Sequence, residues 1–267
     1  MKIALCFYGL IGSKTNKNGI GENLDPKIAY NYYKKNIINV NKNVDIFVHS
    51  WSIEAKNKIL QLYKPKKYII EEQIDFSYSK NHPKKFGNFR NRFKYKLLKF
   101  FKRNKYEKLI KKKNQELFRA YSRWYSNKKV IDLKIEYEKE NNFKYDMVMV
   151  TRLDIGFFKK LNFKNFDNNF FYVSHRNDAP TRYNNYVANY ENHQLGISFQ
   201  DLWFFSNDEN IDNFGKLFDN IEEYDVSPHS SSLQHVYKFI GNQKVKFVLY
   251  RWFDYELIRR KMFKSEN

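Results

Sequence analysis

The chain has 267 residues, with 49 Lys or Arg against 29 Asp or Glu and a formal charge of +20. Hydrophobic residues at 42% and aromatics at 19% exclude a disordered chain and suffice for one sizeable core. A single cysteine, Cys6, excludes a disulfide framework and a multi-cysteine metal cluster, and apolar runs such as Ile3 to Leu10 fall far short of a membrane span.

Met1-Lys2-Ile3 enters an apolar run directly, and the polar stretch from Ser13 brings no small-residue cleavage site. That is a poor signal peptide, so the expected location is the reducing cytoplasm. Lys2 to Tyr8 predicts a buried strand ending at Gly9, and Asn16 to Asn23 a polar loop. Asp25-Pro26 has the form of a helix start, with a capping Asp and Pro in the first turn, and the helix extends to about Ile38. Val44 to His49 predicts a second strand, Ser52 to Tyr63 an amphipathic helix and Tyr68 to Glu72 a third strand. This alternation predicts a parallel sheet with right-handed crossovers. Further on, the pattern predicts a long helix over Asn114 to Asn142 and the strongest strand over Tyr145 to Thr151. Strands follow at Asn169 to Ser174 and Ile197 to Ser206, helices at Glu209 to Ile221 and Pro228 to Phe239, and a late strand at Val245 to Tyr250. With nine Gly, five Pro and no Ser/Gly linker, one domain over 1–267 is expected, carrying a basic, aromatic-rich helical insertion at 76–130.

The charge is concentrated in that insertion. From Lys80 to Lys129 there are nineteen Lys or Arg and two acids, Glu107 and Glu116, a local charge of +17 that leaves +3 for the rest. Phe89, Phe93, Leu97 and Phe101 recur at helical spacing within it. Such a segment suits an anionic membrane surface or a solvated face over a satellite core. Nucleic acid ranks third, because the stretch matches no recognised binding motif.

Several stretches bear on chemistry. Gly9 to Thr15 follows the first strand, but its spacing excludes a P-loop, and no G-x-G-x-x-G is present. Phe7, Tyr8 and Gly9 either line a nucleotide base pocket at the carboxyl edge or form a plain turn. His49, at the end of the second strand, is either structural or part of that edge. Arg152 and Asp154 interrupt a very apolar run, where charge is costly without a partner. They form a mutual pair or meet a ligand: an acid there can hold a divalent metal on a diphosphate, and an Arg can pair with phosphate. Asp201 is a general base or a strand-edge Asp, and Trp203 and Phe204 stack on a sugar or belong to the core. Ser227 to Ser232 opens a helix that can cap itself or bind an anion, and His229 and His235 have no diagnostic metal spacing. A hydrolase lacks its G-x-S-x-G elbow.

The motifs KIALCFYG, NVDIFVHSW, LYKPKKYIIEEQ, DLKIEYEKENNFKYDMVMVTRLDI and DLWFFSNDENIDNFGKLFDNI, in that order, cover most of the chain outside the insertion and the Arg176 to His193 loop. Together they resemble the bacterial capsule and lipooligosaccharide glycosyltransferase-like proteins with a GT-A-type fold. The resemblance implies an α/β fold with a GT-A-like, Rossmann-type, mostly parallel sheet flanked by helices. It implies a cytoplasmic transferase that moves a sugar from a nucleotide-diphosphate donor to a growing surface glycan, and the basic insertion would hold it near a lipid-linked acceptor on the inner membrane face. On this resemblance Phe7, Tyr8, Gly9, Ser126, Lys129 and Arg152 meet the nucleotide sugar, and His49 is expected with them from its place at a strand end. On it Asp201, Asp154 and Arg152 are catalytic; Trp203 and Phe204, from their own residue types beside Asp201, are expected to face the acceptor. The family's motif has acids two apart, whereas here the first is Arg152. Asp154 would then hold Mn²⁺ or Mg²⁺ with donor phosphates and water, or Arg152 would replace part of the metal's charge. A catalytically degenerate sugar-binding relative and a polyanion-binding module are the alternatives.

Overall fold

The apolar run after Lys2 forms an interior strand of the sheet, covered on both of its faces. In the computed structural model, which describes residues 1–12, 24–87, 89–175 and 199–259, β1 spans Ile3–Gly9. Ile3, Leu5 and Phe7 enter one core, and Ala4, Cys6 and Tyr8 enter the other. Burial on both faces replaces the alternation of a half-exposed strand with a continuous apolar run. β2 (Val44–Ser50) and β4 (Met147–Arg152) flank β1 in parallel, and β3 (Lys67–Ile70) pairs in parallel with β2.

α1 (Pro26–Asn36) and α2 (Lys56–Tyr63) cover the first face. Asp25 caps α1 by accepting from the Lys27 N–H at 2.8 Å, and Pro26 occupies its first turn, as the sequence predicts. The other face is covered by α4 (Arg103–Asn141), α5 (Asp208–Gly215) and α6 (Pro228–Phe239). α4 begins eleven residues before the predicted Asn114, because α3 (Phe89–Phe101) packs against its early turns. It runs through residue 130 without a break, so the basic segment and the core share one 39-residue helix. α5 is shorter than predicted and ends at Gly215, where a Cβ would come within 3.1 Å of Ile131 on α4. Glycine there permits the close approach of the two helices.

β5 (Ile155–Phe157), β6 (Phe171–His175), β7 (Phe199–Ser206), β8 (Val245–Phe247) and β9 (Tyr255–Leu257) complete the strands of the described residues. The main sheet has seven strands in the order β3-β2-β1-β4-β7-β6-β8, and β5 pairs with β9 in a two-stranded sheet. β7 is antiparallel to both of its neighbours, while the remaining pairs of the main sheet are parallel. The result is a mixed α/β fold with a mostly parallel sheet flanked by helices, the class expected from sequence. The predicted loop at Asn16 to Asn23, the start of the predicted strand at Ile197 and the Arg176 to His193 loop lie outside the described residues.

One core group makes the fold sensitive to acid. His235 is fully buried; its Nε2–H donates to the Asn213 carbonyl at 2.8 Å, and Nδ1 accepts from the Tyr224 hydroxyl at 2.9 Å. Burial pulls its pKa from 6.5 down to about 4. Between these values the unfolded chain binds a proton that the folded chain refuses. Stability is therefore full above the unfolded value and is lost as the pH falls through the folded one. The expected loss is roughly 3 kcal/mol. Melting temperature followed against pH should fall across this window, and His235→Gln should flatten that slope while lowering stability at neutral pH. An unchanged slope in the variant would refute the assignment.

Candidate functional site

The ends of β2, β1 and β4 bring His49, Tyr8 and Arg152 into one register at the carboxyl edge of the sheet. Because β7 runs the opposite way, its beginning, Gln200 and Asp201, arrives at the same edge. Ligands of α/β sheets bind outside the carboxyl ends of the strands. A cavity of about 1180 Å³ lies there, bordered by Tyr8, Gly9, Trp51, Arg119, Arg123, Arg152, His229 and Arg259. A second of about 560 Å³ is lined by Gln200, Asp201, Ser227 and Arg251 and shares Arg119, Arg123, Arg152, His229 and Arg259 with the first.

The turn after β1 is held from below. The Gly9 N–H donates to Ser126 Oγ at 2.9 Å, and the Ser126 hydroxyl meets His49 Nδ1 at 2.7 Å. His49 Nε2 faces Glu71 at 3.1 Å. With Nε2 protonated the chain of bonds is complete, and burial holds the His49 pKa below its ordinary value. Gly9 has φ +90°, a left-handed conformation, and its Cα side is open to the cavity. Gly9 and Tyr8 thus border the cavity, while Ser126 and His49 are buried struts that position Gly9. Lys129 lies outside the cavity lining and places its ammonium 5.4 Å from the Tyr125 ring centre.

Three expectations are corrected by burial. Phe7 is sealed in the core, its ring 4.7 Å from Tyr33 and 4.8 Å from Tyr63, and cannot receive a nucleotide base. Trp203 and Phe204 are also fully buried. As neighbours on a strand they point to opposite faces and enter different cores. Neither reaches an acceptor sugar.

Arg152 and Asp154 form the pair that the sequence left open. Asp154 Oδ1 accepts from Arg152 Nε and Oδ2 from Arg152 Nη2, each at 2.7 Å. Burial opposes the Asp154 charge, but Arg152 outweighs it and holds the carboxyl below the usual range. Arg259 Nη1 approaches Oδ2 at 3.7 Å, and the Asp154 carbonyl accepts from the Ile258 N–H at 3.0 Å. Tyr33 steadies the end of β4 by donating to the Arg152 carbonyl at 2.7 Å.

The neighbouring acid is paired as well. Asp201 Oδ2 forms an ion pair with Arg123 of α4, and Oδ1 lies 3.2 Å from His229 Nδ1 at the start of α6. Burial and the nearby Arg152 pull the Arg123 guanidinium down to about 10.

A divalent metal does not fit at Asp154. Both of its oxygens already accept from Arg152, and the position two residues earlier offers a cation in place of a second carboxylate. At the opposite edge of the sheet, Glu138, Asp208 and Asp212 set one oxygen each within 4.8 Å of one another, a spacing suited to a metal ion. There the Lys134 ammonium bonds to all three carboxylates.

Arg123 and Arg259 were not singled out by sequence, and His229 was weighed only as a metal ligand. Arg119 and Arg123 stand one helical turn apart on α4, a signal hidden among the other basic residues of the insertion. Arg259 has no local signal. No protein-family model matches the chain, and no curated protein matches it. Among solved structures, it is similar to the apo crystal structure of mouse xyloside xylosyltransferase 1, with 11% identity, a TM-score of 0.33 and coverage of 90% of this chain and 75% of that one. The chemistry of the cleft rests on its own residues.

Proposed function

We propose that the protein is a glycosyltransferase that takes a sugar from a nucleotide-diphosphate donor and passes it to a cell-surface glycan, in the manner of the capsule and lipooligosaccharide enzymes its motifs resemble. One observation carries this reading: the guanidiniums of Arg123, Arg152 and Arg259 converge with His229 where two cavities meet at the carboxyl edge of the sheet. The donor diphosphate lies against the guanidiniums, with its nucleoside toward the Gly9 turn. The acceptor enters through the smaller cavity beside Asp201.

In the transfer an acceptor hydroxyl oxygen bonds to the anomeric carbon as the bond from that carbon to the diphosphate oxygen breaks. The electron pair stays on the diphosphate, and the guanidiniums stabilise the charge that develops there. His229, 26% exposed at its side chain, takes the hydroxyl proton. The Phe199 carbonyl, 2.8 Å from His229 Nδ1, and Asp201, itself paired with Arg123, orient the imidazole. The working location is the cytoplasmic face of the membrane, with a lipid-linked glycan as acceptor.

The test is a thermal-shift panel of UDP-, GDP- and dTDP-sugars, each with Mn²⁺ and with EDTA. One nucleotide class should raise the melting temperature by about 5–10 °C at saturating concentration. EDTA should leave the shift intact, and nucleoside diphosphate should be released when a glycan acceptor is added. No shift with any donor would refute the reading. A shift without release would leave a sugar-binding relative.

A further inference from the structure

α3 carries two apolar stripes, and α4 covers one of them. Tyr95 and Leu98 are half-buried, and the Tyr95 ring lies 4.8 Å from Phe86. The other stripe is Phe93, Leu97, Phe100 and Phe101, which are 56%, 43%, 83% and 78% exposed. Single exposed apolar side chains are ordinary, but four on one helical face mark an interaction surface. At about 100° per residue, Lys94 and Lys96 fall on either flank of this stripe, Tyr95 falls opposite it and Leu98 lies between Lys94 and Tyr95. From Phe89 to Lys113 there are twelve Lys or Arg and one acid, Glu107, which pairs with Arg103.

An apolar stripe edged by lysines is the form of a helix lying in a lipid interface, where the stems cover apolar surface and the ammoniums reach phosphates. A solvated face would not need the stripe, and phosphate binding in a nucleic-acid groove would not need an exposed Leu97 among the aromatics. Among the described residues no helix is long and apolar enough to cross a membrane. The larger cavity also continues along α4, from Arg123 past Phe118 and Ile110 to Tyr106, about 25 Å of helix. It therefore links the cleft to the foot of the hairpin.

We infer that the α3–α4 hairpin docks on an anionic lipid bilayer, with Phe93, Leu97, Phe100 and Phe101 in the headgroup boundary and the flanking lysines on lipid phosphates. This surface stands apart from the cleft, so its test leaves the transferase reading untouched. The test is sedimentation of the full chain with vesicles of phosphatidylcholine alone and of equimolar phosphatidylcholine and phosphatidylglycerol, with a DNA duplex as competitor. The chain should bind the mixed vesicles at least about tenfold better than the neutral ones. Phe100→Ser with Phe101→Ser, which keeps every charge, should weaken binding to mixed vesicles about tenfold or more, and Lys94→Gln with Lys96→Gln should also weaken it. These positions are exposed, so melting temperatures should match the unsubstituted chain. Unchanged binding by the Phe variant would overturn the inference, as would failure to bind mixed vesicles or a DNA affinity that exceeds vesicle affinity and ignores the Phe substitutions.

Discussion

Arg152→Ala should cost about 3–5 kcal/mol of stability and remove nucleotide-sugar binding, whereas Arg152→Met combined with Asp154→Leu should recover most of the stability and none of the binding. Asp154 is fully buried, and both of its oxygens accept from Arg152. Without that guanidinium the carboxylate has Arg259 at 3.7 Å, beyond a good hydrogen bond. An uncompensated buried charge is far worse than a buried pair, and a buried pair is often no better than well-packed apolar groups of similar volume. The single and double variants therefore separate two roles. Denaturant melts report the charge balance, and the nucleotide-sugar thermal shift reports the phosphate contact. Should the apolar double variant bind donor as the natural chain does, Arg152 and Asp154 would be structural and the cleft assignment would fall.

Much of the fold was legible because burial writes itself into the chain. β1 and β4 are covered on both faces and read as apolar runs over Ile3 to Tyr8 and Met147 to Val150, and β2 does so over Ile46 to Val48. α6 has the predicted bounds because Ser227-Pro228 marks its start. Strand direction left no trace: the apolar pattern of Phe199–Ser206 is the same whether β7 runs with β4 or against it, and here it runs against it. β5 and β9, three residues each, are too short for any periodicity to register.

The site divides the same way. Arg152 and Asp154 stood out because charge at the end of an apolar strand requires a reason. Trp203 and Phe204 misled because adjacency to Asp201 in sequence suggested adjacency in the cleft, while the strand pleat carries both rings into the cores. His49 and Ser126 were placed at the correct edge, yet they support Gly9 from beneath. Arg123 and His229 reach Asp201 from two different helices, a meeting that depends on packing across the sheet edge.

Lys134→Met should be as damaging at the far edge of the sheet. The Lys134 ammonium is fully buried and bonds to Glu138 at 2.9 Å, to Asp212 at 2.7 Å and to Asp208. Burial opposes its charge, but Asp212 and Asp208 hold its pKa above the ordinary lysine value. Removal leaves three carboxylates facing the exposed ammonium of Lys144, 62% accessible, and a loss of about 3–5 kcal/mol is expected. With their cation gone, the carboxyl groups should be raised above their unfolded pKa values. Stability of the variant should then be lost as pH rises through those raised values and recovered on mild acidification. The vacated space is bounded by oxygens within 4.8 Å of one another, so Mn²⁺ or Ca²⁺ should also restore the variant's melting temperature. The natural chain, with the ammonium in place, should respond to neither the cations nor EDTA. A melting temperature of the natural chain that rises with Mn²⁺ and falls with EDTA would mean that the cluster binds metal beside Lys134, and the donor-binding experiments would then have to be repeated at fixed metal concentration before the arginine cleft could be credited with the diphosphate.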